Sequence, residues 1–410
     1  MSKESMLFVT KLHFNKYGNG GQQRTYYLIK ELSEHFNLYV ISPYINSDQR
    51  DIEANFILNK AVSLEKKLKK NKLTRVVLKI LNRLLKCEEA TKPIHQSNLA
   101  TYLLKKQLKQ LKTKRANQHI DTIVFDTLSM VVNFKAGLFQ NRILNAHNFD
   151  SELLQMNLDN KIENPEISAV EIENTKKNLA IYKRYEYNID AYFTEIWVCS
   201  FADALKFKAT NQNTKVTFYE IPNGSDTKTR QFQPITNNYK KFLFVGSLDY
   251  FPNVNGLKWF VDTVFQKLPK SFELNIVGKS PNTRDFGYLE QYSNVNLIGE
   301  VDSVAPYYES HDVFVVPLLE GSGTRLKILE ALSYGKLVLS TTKGIEGIAA
   351  KEGVDYLEFN NFDDFTTNIL SKLKDFKASE IIRKNGRHFI ENSYSWKGIV
   401  EHYIEQRYAK

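Results

Sequence analysis

Glu320-Gly-Ser-Gly-Thr-Arg-Leu-Lys-Ile-Leu-Glu330-Ala-Leu-Ser-Tyr-Gly335-Lys-Leu-Val-Leu-Ser340 decides how this chain is read. The apolar run before it, Asp312-Val-Phe-Val-Val-Pro317, predicts a buried strand. A glycine-rich turn follows, then a helix expected over Thr324–Tyr334, then Gly335 and a second strand over Leu337–Thr341. A glycine turn that feeds a helix presents unpaired backbone N–H groups and a positive dipole end, which suits a phosphate. Arg325 and Lys327 place fixed positive charge in the expected first turn, where a helix without a ligand favours Asp or Glu. Glu330 is a carboxylate able to hold sugar hydroxyls. The same spacing is also met in an ordinary strand–helix connection with its charges in solvent, and the stretch alone leaves both readings open.

Outward from this block, short apolar runs alternate with helical stretches, the pattern of parallel sheets with helices on both faces. Strands are expected over Leu7–Thr10, Leu38–Ser42, Thr122–Phe125, Ile143–Ala146, Ile196–Ser200 and Thr217–Ile221. A second set is expected over Phe242–Gly246, Glu273–Gly278, Val295–Ile298, Val313–Pro317, Leu337–Thr341 and Tyr356–Phe359. Each set suffices for one doubly wound domain, so the fold class is α/β with two Rossmann-like domains. The domains are placed at 1–226 and 240–394. Polar Thr227–Lys240 reads as the linker, and 395–410 as a C-terminal helix that packs back on the first domain. Ligands of such sheets bind beyond the carboxyl ends of the strands. That rule selects the loops after Thr10 and after Gly246, and the turn at Gly321–Thr324. Gly18-Asn-Gly20-Gly21-Gln-Gln-Arg24 lies in the first of these loops but lacks dinucleotide spacing.

A chain of 410 residues with 42% apolar and 12% aromatic side chains can bury two cores. Cys87 and Cys199 have no metal-ligand spacing and imply no disulfide framework, as in a reducing compartment. No signal peptide and no apolar run of about 20 residues is visible, so a cytoplasmic protein is expected. The net charge of +10 is concentrated: Lys60 to Arg115 holds 17 Lys and Arg against Glu65, Glu88 and Glu89. Within it Leu73, Val76, Val77, Ile80, Leu81, Leu84 and Leu85 recur at helical spacing. This basic stripe suits an anionic membrane surface, peripheral on the inner face of the cell membrane, and suits equally well docking on the domain core. Tyr102 alone offers a stacking ring there, which argues against nucleic acid.

The ordered motifs carry a resemblance. Phe242-Leu-Phe-Val-Gly-Ser-Leu-Asp-Tyr-Phe-Pro-Asn253, Leu274-Asn-Ile-Val-Gly278, Val295-Asn-Leu-Ile-Gly-Glu-Val301, the block from Pro317 to Thr341 and Gly344-Ile-Glu-Gly347 span the second half. Ala146-His-Asn-Phe-Asp150, Trp197-Val-Cys-Ser200 and Ile221-Pro-Asn-Gly224 accompany them in the first. In this order they resemble retaining nucleotide-sugar glycosyltransferases of the GT-B fold, the bacterial group-1 type, whose two domains face each other across a cleft. The resemblance implies that Glu330 binds the donor ribose and that Gly299, Glu300 and Val301 meet the base. It implies that Gly246, Ser247, Ser322, Gly323 and Thr324 line the donor site. Gly20 and Gly21, with Arg24 nearby, match the loop that approaches phosphates or acceptor, and His147 matches a histidine beside the transferring sugar. Two departures stand out. Ser322 occupies the place of a second glutamate, and the cations usual after Gly246 are missing. Arg325 and Lys327 are the substitutes for the latter. Residues two apart on a helix diverge by about 200°, so one of the two is expected to face the diphosphate.

The implied reaction moves a sugar from a nucleotide diphosphate to a hydroxyl of a saccharide or lipid-linked acceptor, with retention, in bacterial surface polysaccharide synthesis. It implies no metal and no cofactor beyond the nucleotide-sugar substrate. Gln22, Arg24, Asp150 and Glu152 lie near first-domain strand ends without motif support. A nucleotide-sugar epimerase of the same fold and a non-catalytic nucleotide-sugar-binding protein are the alternatives.

Overall fold

The computed structural model describes residues 3–11, 14–16, 18, 20–42, 51–58, 76, 80, 98–114, 120–131, 139–163, 167–235, 239–281, 283–321 and 325–409. The chain forms two compact units, residues 1–221 with 400–410 and residues 222–399. The principal helices are α1 (Gly20–His35), α2 (Asn98–Lys114), α3 (Asp150–Glu163), α4 (Ala169–Glu186), α5 (Leu326–Ser333), α6 (Phe376–Ser393) and α7 (Trp396–Tyr408).

In the first unit a seven-stranded parallel sheet has the order β3-β2-β1-β4-β5-β6-β7. Its strands are β1 (Ser5–Val9), β2 (Asn37–Ser42), β3 (Asn55–Leu58), β4 (Ile120–Asp126), β5 (Asn141–Asn145), β6 (Glu195–Val198) and β7 (Thr217–Glu220). Leu7 aligns with Tyr39 on one side and Ile123 on the other. Strand β1 is buried at every position, as a central strand covered on both faces must be. The chain winds outward from β1 in one direction and from β4 in the other, so the two strands flank the switch point. Strand β3 was not expected from the sequence; it is a short edge strand whose Asn55 and Leu58 are exposed. Of the basic segment, residues 60–97 fall outside the described residues except Val76 and Ile80, both exposed. Helix α2 sends Leu104 into the core and packs Leu111 against it, while Lys106 and Lys109 are exposed.

The second unit holds six parallel strands in the order β10-β9-β8-β11-β12-β13. They are β8 (Lys241–Val245), β9 (Glu273–Val277), β10 (Val295–Gly299), β11 (Val313–Val316), β12 (Leu337–Ser340) and β13 (Leu357–Glu358). Side chains alternate between two layers. Phe242, Phe244, Leu274, Ile276, Val313, Val315, Leu337 and Leu339 fill one core. Leu243, Val277, Phe314, Val316 and Val338 join α5 in the other. The switch point lies between β8 and β11.

Helix α5 begins at Leu326, so Arg325 is its N-cap residue, with φ −80° and ψ 84°, rather than part of its first turn. The helix ends in a Schellman turn: Gly335 N donates to Leu332 O at 2.9 Å and Lys336 N to Ala331 O at 3.0 Å. Gly335 has φ +67°, and a Cβ there would lie 2.3 Å from the Phe232 ring, so both conformation and space demand glycine.

Residues 227–235, expected as a linker, belong to the second unit. Buried Arg383 of α6 lies over the Phe232 ring and donates to Gln233 O and Gly335 O. Arg387 donates to Thr227 O and Arg230 O, each at 2.7 Å. At the C-terminus, α7 buries Trp396, Ile399, Val400 and Tyr403. Within the first unit Tyr403 donates to Glu195 at 2.8 Å and Arg407 pairs with Glu4 at 3.7 Å. No helix among the described residues is long and apolar enough to cross a membrane.

Candidate functional site

Two cations of the second unit, Arg325 and Lys327, stand at the switch point. Strand β8 ends at Val245, and Gly246 N donates to Val277 O at 3.0 Å. A Cβ on Gly278 would lie 1.8 Å from Gly246 O, so the two loops touch backbone to backbone. Over this floor sits Lys327, whose Nζ donates to Asn253 Oδ1 at 2.9 Å and lies 4.4 Å from the Phe244 ring centre. Asn253 in turn donates to Ser247 O at 2.7 Å. A Cβ on Gly246 would come within 2.7 Å of the ammonium, so glycine here leaves room for the charge. Burial, and then the neighbouring Arg325, push the Lys327 ammonium down to about 7. No carboxylate among the described residues forms a salt bridge with it. Burial also lowers the Arg325 guanidinium, against the pull of Tyr250 and Glu346.

The expectation that only one of the two cations serves this region rested on both being helical. Arg325 precedes the helix, and the divergence of about 200° does not apply to it. A Cβ on Gly321 would lie 3.3 Å from Arg325 Nη2 and 3.5 Å from Tyr250 Oη, so the guanidinium borders the same Tyr250–Asn253 segment that binds Lys327.

One turn further along α5, Glu330 Oε1 accepts from Arg230 Nη2 at 2.7 Å, and Tyr308 Oη donates to Oε2 at 3.4 Å. Gly299 adopts φ +78° and its carbonyl accepts from Gly278 N at 2.8 Å. Glu300 is exposed and pairs with Lys279 at 3.6 Å, while Val301 packs against the α5 core. Ser322, Gly323 and Thr324 lie outside the described residues. Glu320 accepts from Asn255 at 2.8 Å.

The first unit builds a buried polar network at its own switch point. Asp126, at the end of β4, is wholly buried. Its Oδ2 accepts from the hydroxyls of Thr10 at 2.6 Å and Thr25 at 2.8 Å. Its Oδ1 accepts from Asn145 at 2.9 Å and faces His147 Nε2 at 2.9 Å. A carboxylate acceptor puts the proton on Nε2 and leaves Nδ1 as the other imidazole nitrogen. Burial pushes the Asp126 carboxyl up; His147 and the two threonine hydroxyls pull it down more strongly, to below the usual range. Gly20 and Gly21, read from the sequence as part of a loop, are the first two residues of α1. Arg24, expected near a phosphate or acceptor, is turned inward: its guanidinium donates to Asn145 Oδ1 at 2.8 Å and Ile221 O at 2.8 Å. Burial raises Asp150 to about 6, against His147 and Lys11. Burial likewise raises Glu186 to about 8, opposed by its bonds from Ser151 and reinforced by Asp150.

Asn253, Phe244, Arg230 and Asp126 had no role in the sequence reading. Asn253 and Phe244 stood inside a quoted motif, but their contact with Lys327 spans more than 70 residues. Arg230 gave no local signal, since its partner is 100 residues away. Among the described residues no group of three or more His, Cys, Asp or Glu is arranged to hold a metal ion.

Residues 239–375 match the family described as glycosyl transferases group 1. The second unit carries a group 1 glycosyltransferase domain. The glycosyltransferase domain thus contains Gly246, Asn253, Arg325, Lys327 and Glu330, while Arg230 lies before the matched residues. A 44.6 kDa protein of the cps region of Klebsiella pneumoniae is 28% identical over 171 residues, covering 38% of this chain and 43% of the relative. The capsular polysaccharide biosynthesis glycosyltransferase CapM of Staphylococcus aureus is 24% identical over 247 residues, covering 55% of this chain and 65% of CapM. The matches therefore span less than two thirds of these relatives. Among solved structures, Anabaena HepE in complex with UDP-glucose superimposes with a TM-score of 0.60 at 12% identity, covering 99% of this chain and all of HepE. The fold is GT-B.

Proposed function

We propose that this chain is a retaining glycosyltransferase that moves a sugar from a nucleoside-diphosphate donor to a hydroxyl of a saccharide or lipid-linked acceptor in the assembly of a surface polysaccharide. The observation that carries this reading is the enclosed Lys327 ammonium over the Gly246 floor, with Arg325 beside it, inside the matched glycosyltransferase domain. Burying the Lys327 ammonium, which forms no salt bridge among the described residues, is unfavourable unless an anion completes the site. HepE, with UDP-glucose bound, and CapM, named for capsular polysaccharide biosynthesis, support the donor class and the pathway class.

In the reaction the bond from the sugar anomeric carbon to the diphosphate oxygen breaks, and the diphosphate leaves with the electron pair. Lys327, Arg325 and backbone N–H groups near Gly246 stabilise that developing negative charge. The acceptor hydroxyl attacks the same face, and its proton passes to the departing phosphate oxygen, so no enzyme carboxylate pair is required. These side chains supply the charge that a divalent ion supplies elsewhere, so transfer proceeds in excess chelator. The first unit holds the acceptor.

The test is turnover. The purified chain is incubated with UDP- and GDP-sugars and a saccharide acceptor in EDTA, and both nucleotide release and the product's anomeric configuration are read by NMR. Acceptor-dependent release with retention is the expected result. An unmodified donor with every acceptor, from a folded protein that no nucleotide stabilises thermally, would refute the proposal. Inversion at C2 of the donor sugar without transfer would establish an epimerase instead.

A further inference from the structure

Glu330 is held in a built shell. The Arg230 fork spans two acceptors: Nη2 donates to Glu330 Oε1 at 2.7 Å and Nη1 to Ser225 Oγ at 2.6 Å. Both side chains are largely shielded, 10% exposed for Arg230 and 18% for Glu330, unlike a surface pair, which contributes little. The guanidinium lies 5.7 Å from the Tyr334 ring centre, and Tyr334 stacks on Tyr308 at 4.9 Å and 7°. Tyr308 Oη reaches the other carboxylate oxygen at 3.4 Å. The Arg230 backbone is itself fastened, since its carbonyl accepts from Arg387 at 2.7 Å. A carboxylate has about four lone-pair sites. With two taken by Arg230 and Tyr308, about two remain, on a side chain that is 18% exposed.

We infer that Arg230 is a positioning residue for donor recognition, holding the Glu330 carboxylate so that its remaining lone pairs receive the two ribose hydroxyls of the nucleoside diphosphate. This rests on the reading of the second unit as a nucleotide-sugar site. A cis-diol offers two adjacent O–H donors, and a carboxylate fixed in orientation accepts both, whereas a freely rotating one loses part of that gain to ordering. Lysine cannot replace the fork, because one ammonium does not present two coplanar donors to Ser225 and Glu330 together.

The experiment is calorimetric titration of the full chain with UDP and with 2′,3′-dideoxy-UDP, for wild type, Arg230→Lys, Arg230→Met and Glu330→Ala, each checked for a cooperative melt. Wild type is expected to prefer the ribonucleotide by about tenfold or more, the effect of hydroxyls bonded to a charged acceptor. Both Arg230 variants are expected to lose most of that preference while binding dideoxy-UDP within about twofold of wild type, because only the diol contact depends on the shell. An Arg230→Lys protein that melts as wild type and keeps the full preference overturns the inference. So does a variant that weakens both ligands equally, which marks a merely structural role. If Glu330→Ala abolishes the preference and the Arg230 variants do not, the donor reading stands and the role of Arg230 falls. If Glu330→Ala keeps the preference, or wild type binds neither these ligands nor GDP and its 2′,3′-dideoxy form, the donor reading itself falls, and the inference with it.

Discussion

Replacing Lys327 with methionine separates what this position does for folding from what it does for a ligand. Methionine keeps an unbranched stem of similar length and removes the charge. Burial and Arg325 bring the ammonium from 10.5 to about 7. That displacement corresponds to at most ~5 kcal/mol of destabilisation at low pH. Lys327 is half-buried, and the variant also forfeits its hydrogen bond to Asn253 and its contact with the Phe244 ring. The net gain expected for Lys327→Met is therefore about 1–3 kcal/mol below pH 7. The unfolded chain keeps its proton up to 10.5 while the folded chain releases it near 7, so wild-type stability rises with pH between those values. The advantage of methionine is accordingly largest below pH 7, shrinks across the interval and is gone above it. Nucleotide affinity moves the other way: the variant binds UDP at least about tenfold more weakly, and wild type takes up close to one proton on binding near pH 8.5. Urea denaturation at pH 6 and pH 9, with calorimetry in buffers of different ionisation enthalpy, measures both. A Lys327→Met protein less stable than wild type at pH 6, or one that binds UDP undiminished, refutes the reasoning.

Two further outcomes follow from named contacts. The Glu186 carboxyl, raised from 4.5 to about 8, makes wild-type stability fall as pH rises through that window; Glu186→Gln removes the slope and is more stable than wild type by about 1–3 kcal/mol at pH 8.5. Superimposable denaturation curves for the two proteins across pH 5 to 8.5 count against this, on the scale of one pKa-linked proton. Gly278→Ala drives a methyl into Gly246 O, 1.8 Å away, and is expected to lower stability by about 3 kcal/mol or more and to weaken nucleotide binding. Gly353→Ala, at φ +72° with nothing within 4 Å, is the control and loses only about 1 kcal/mol in a thermal melt.

Much of the fold was legible because central parallel strands are apolar on both faces. Met6-Leu-Phe-Val9 and Val313-Phe-Val-Val316 read as strands without any partner in view, and the structure buries each completely. Strand β3 escaped because an edge strand need not be apolar throughout; Asn55 and Leu58 face solvent. The start of α5 was misplaced because the glycine turn, Thr324 and Arg325 carry no periodic signal, and a boundary moved past Arg325 changes where its guanidinium points. The polar segment after Thr227 read as a linker since its anchors, Arg383 and Arg387, lie about 150 residues downstream. The cations at 325 and 327 were visible as residue types out of place near a helix start. Their floor of Gly246, Asn253 and Phe244 is a product of strand order, which the spacing of apolar residues does not encode.

The paired rings beneath Glu330 give the site an optical handle. Tyr308 and Tyr334 lie face to face at 4.9 Å, with one phenol touching the Glu330 carboxylate and the other ring under the Arg230 guanidinium. Transition dipoles held that close and that parallel couple electronically, so their near-ultraviolet dichroism reports on the charges around them. Occupancy of the carboxylate is then readable without a label, from chromophores already built into the wall.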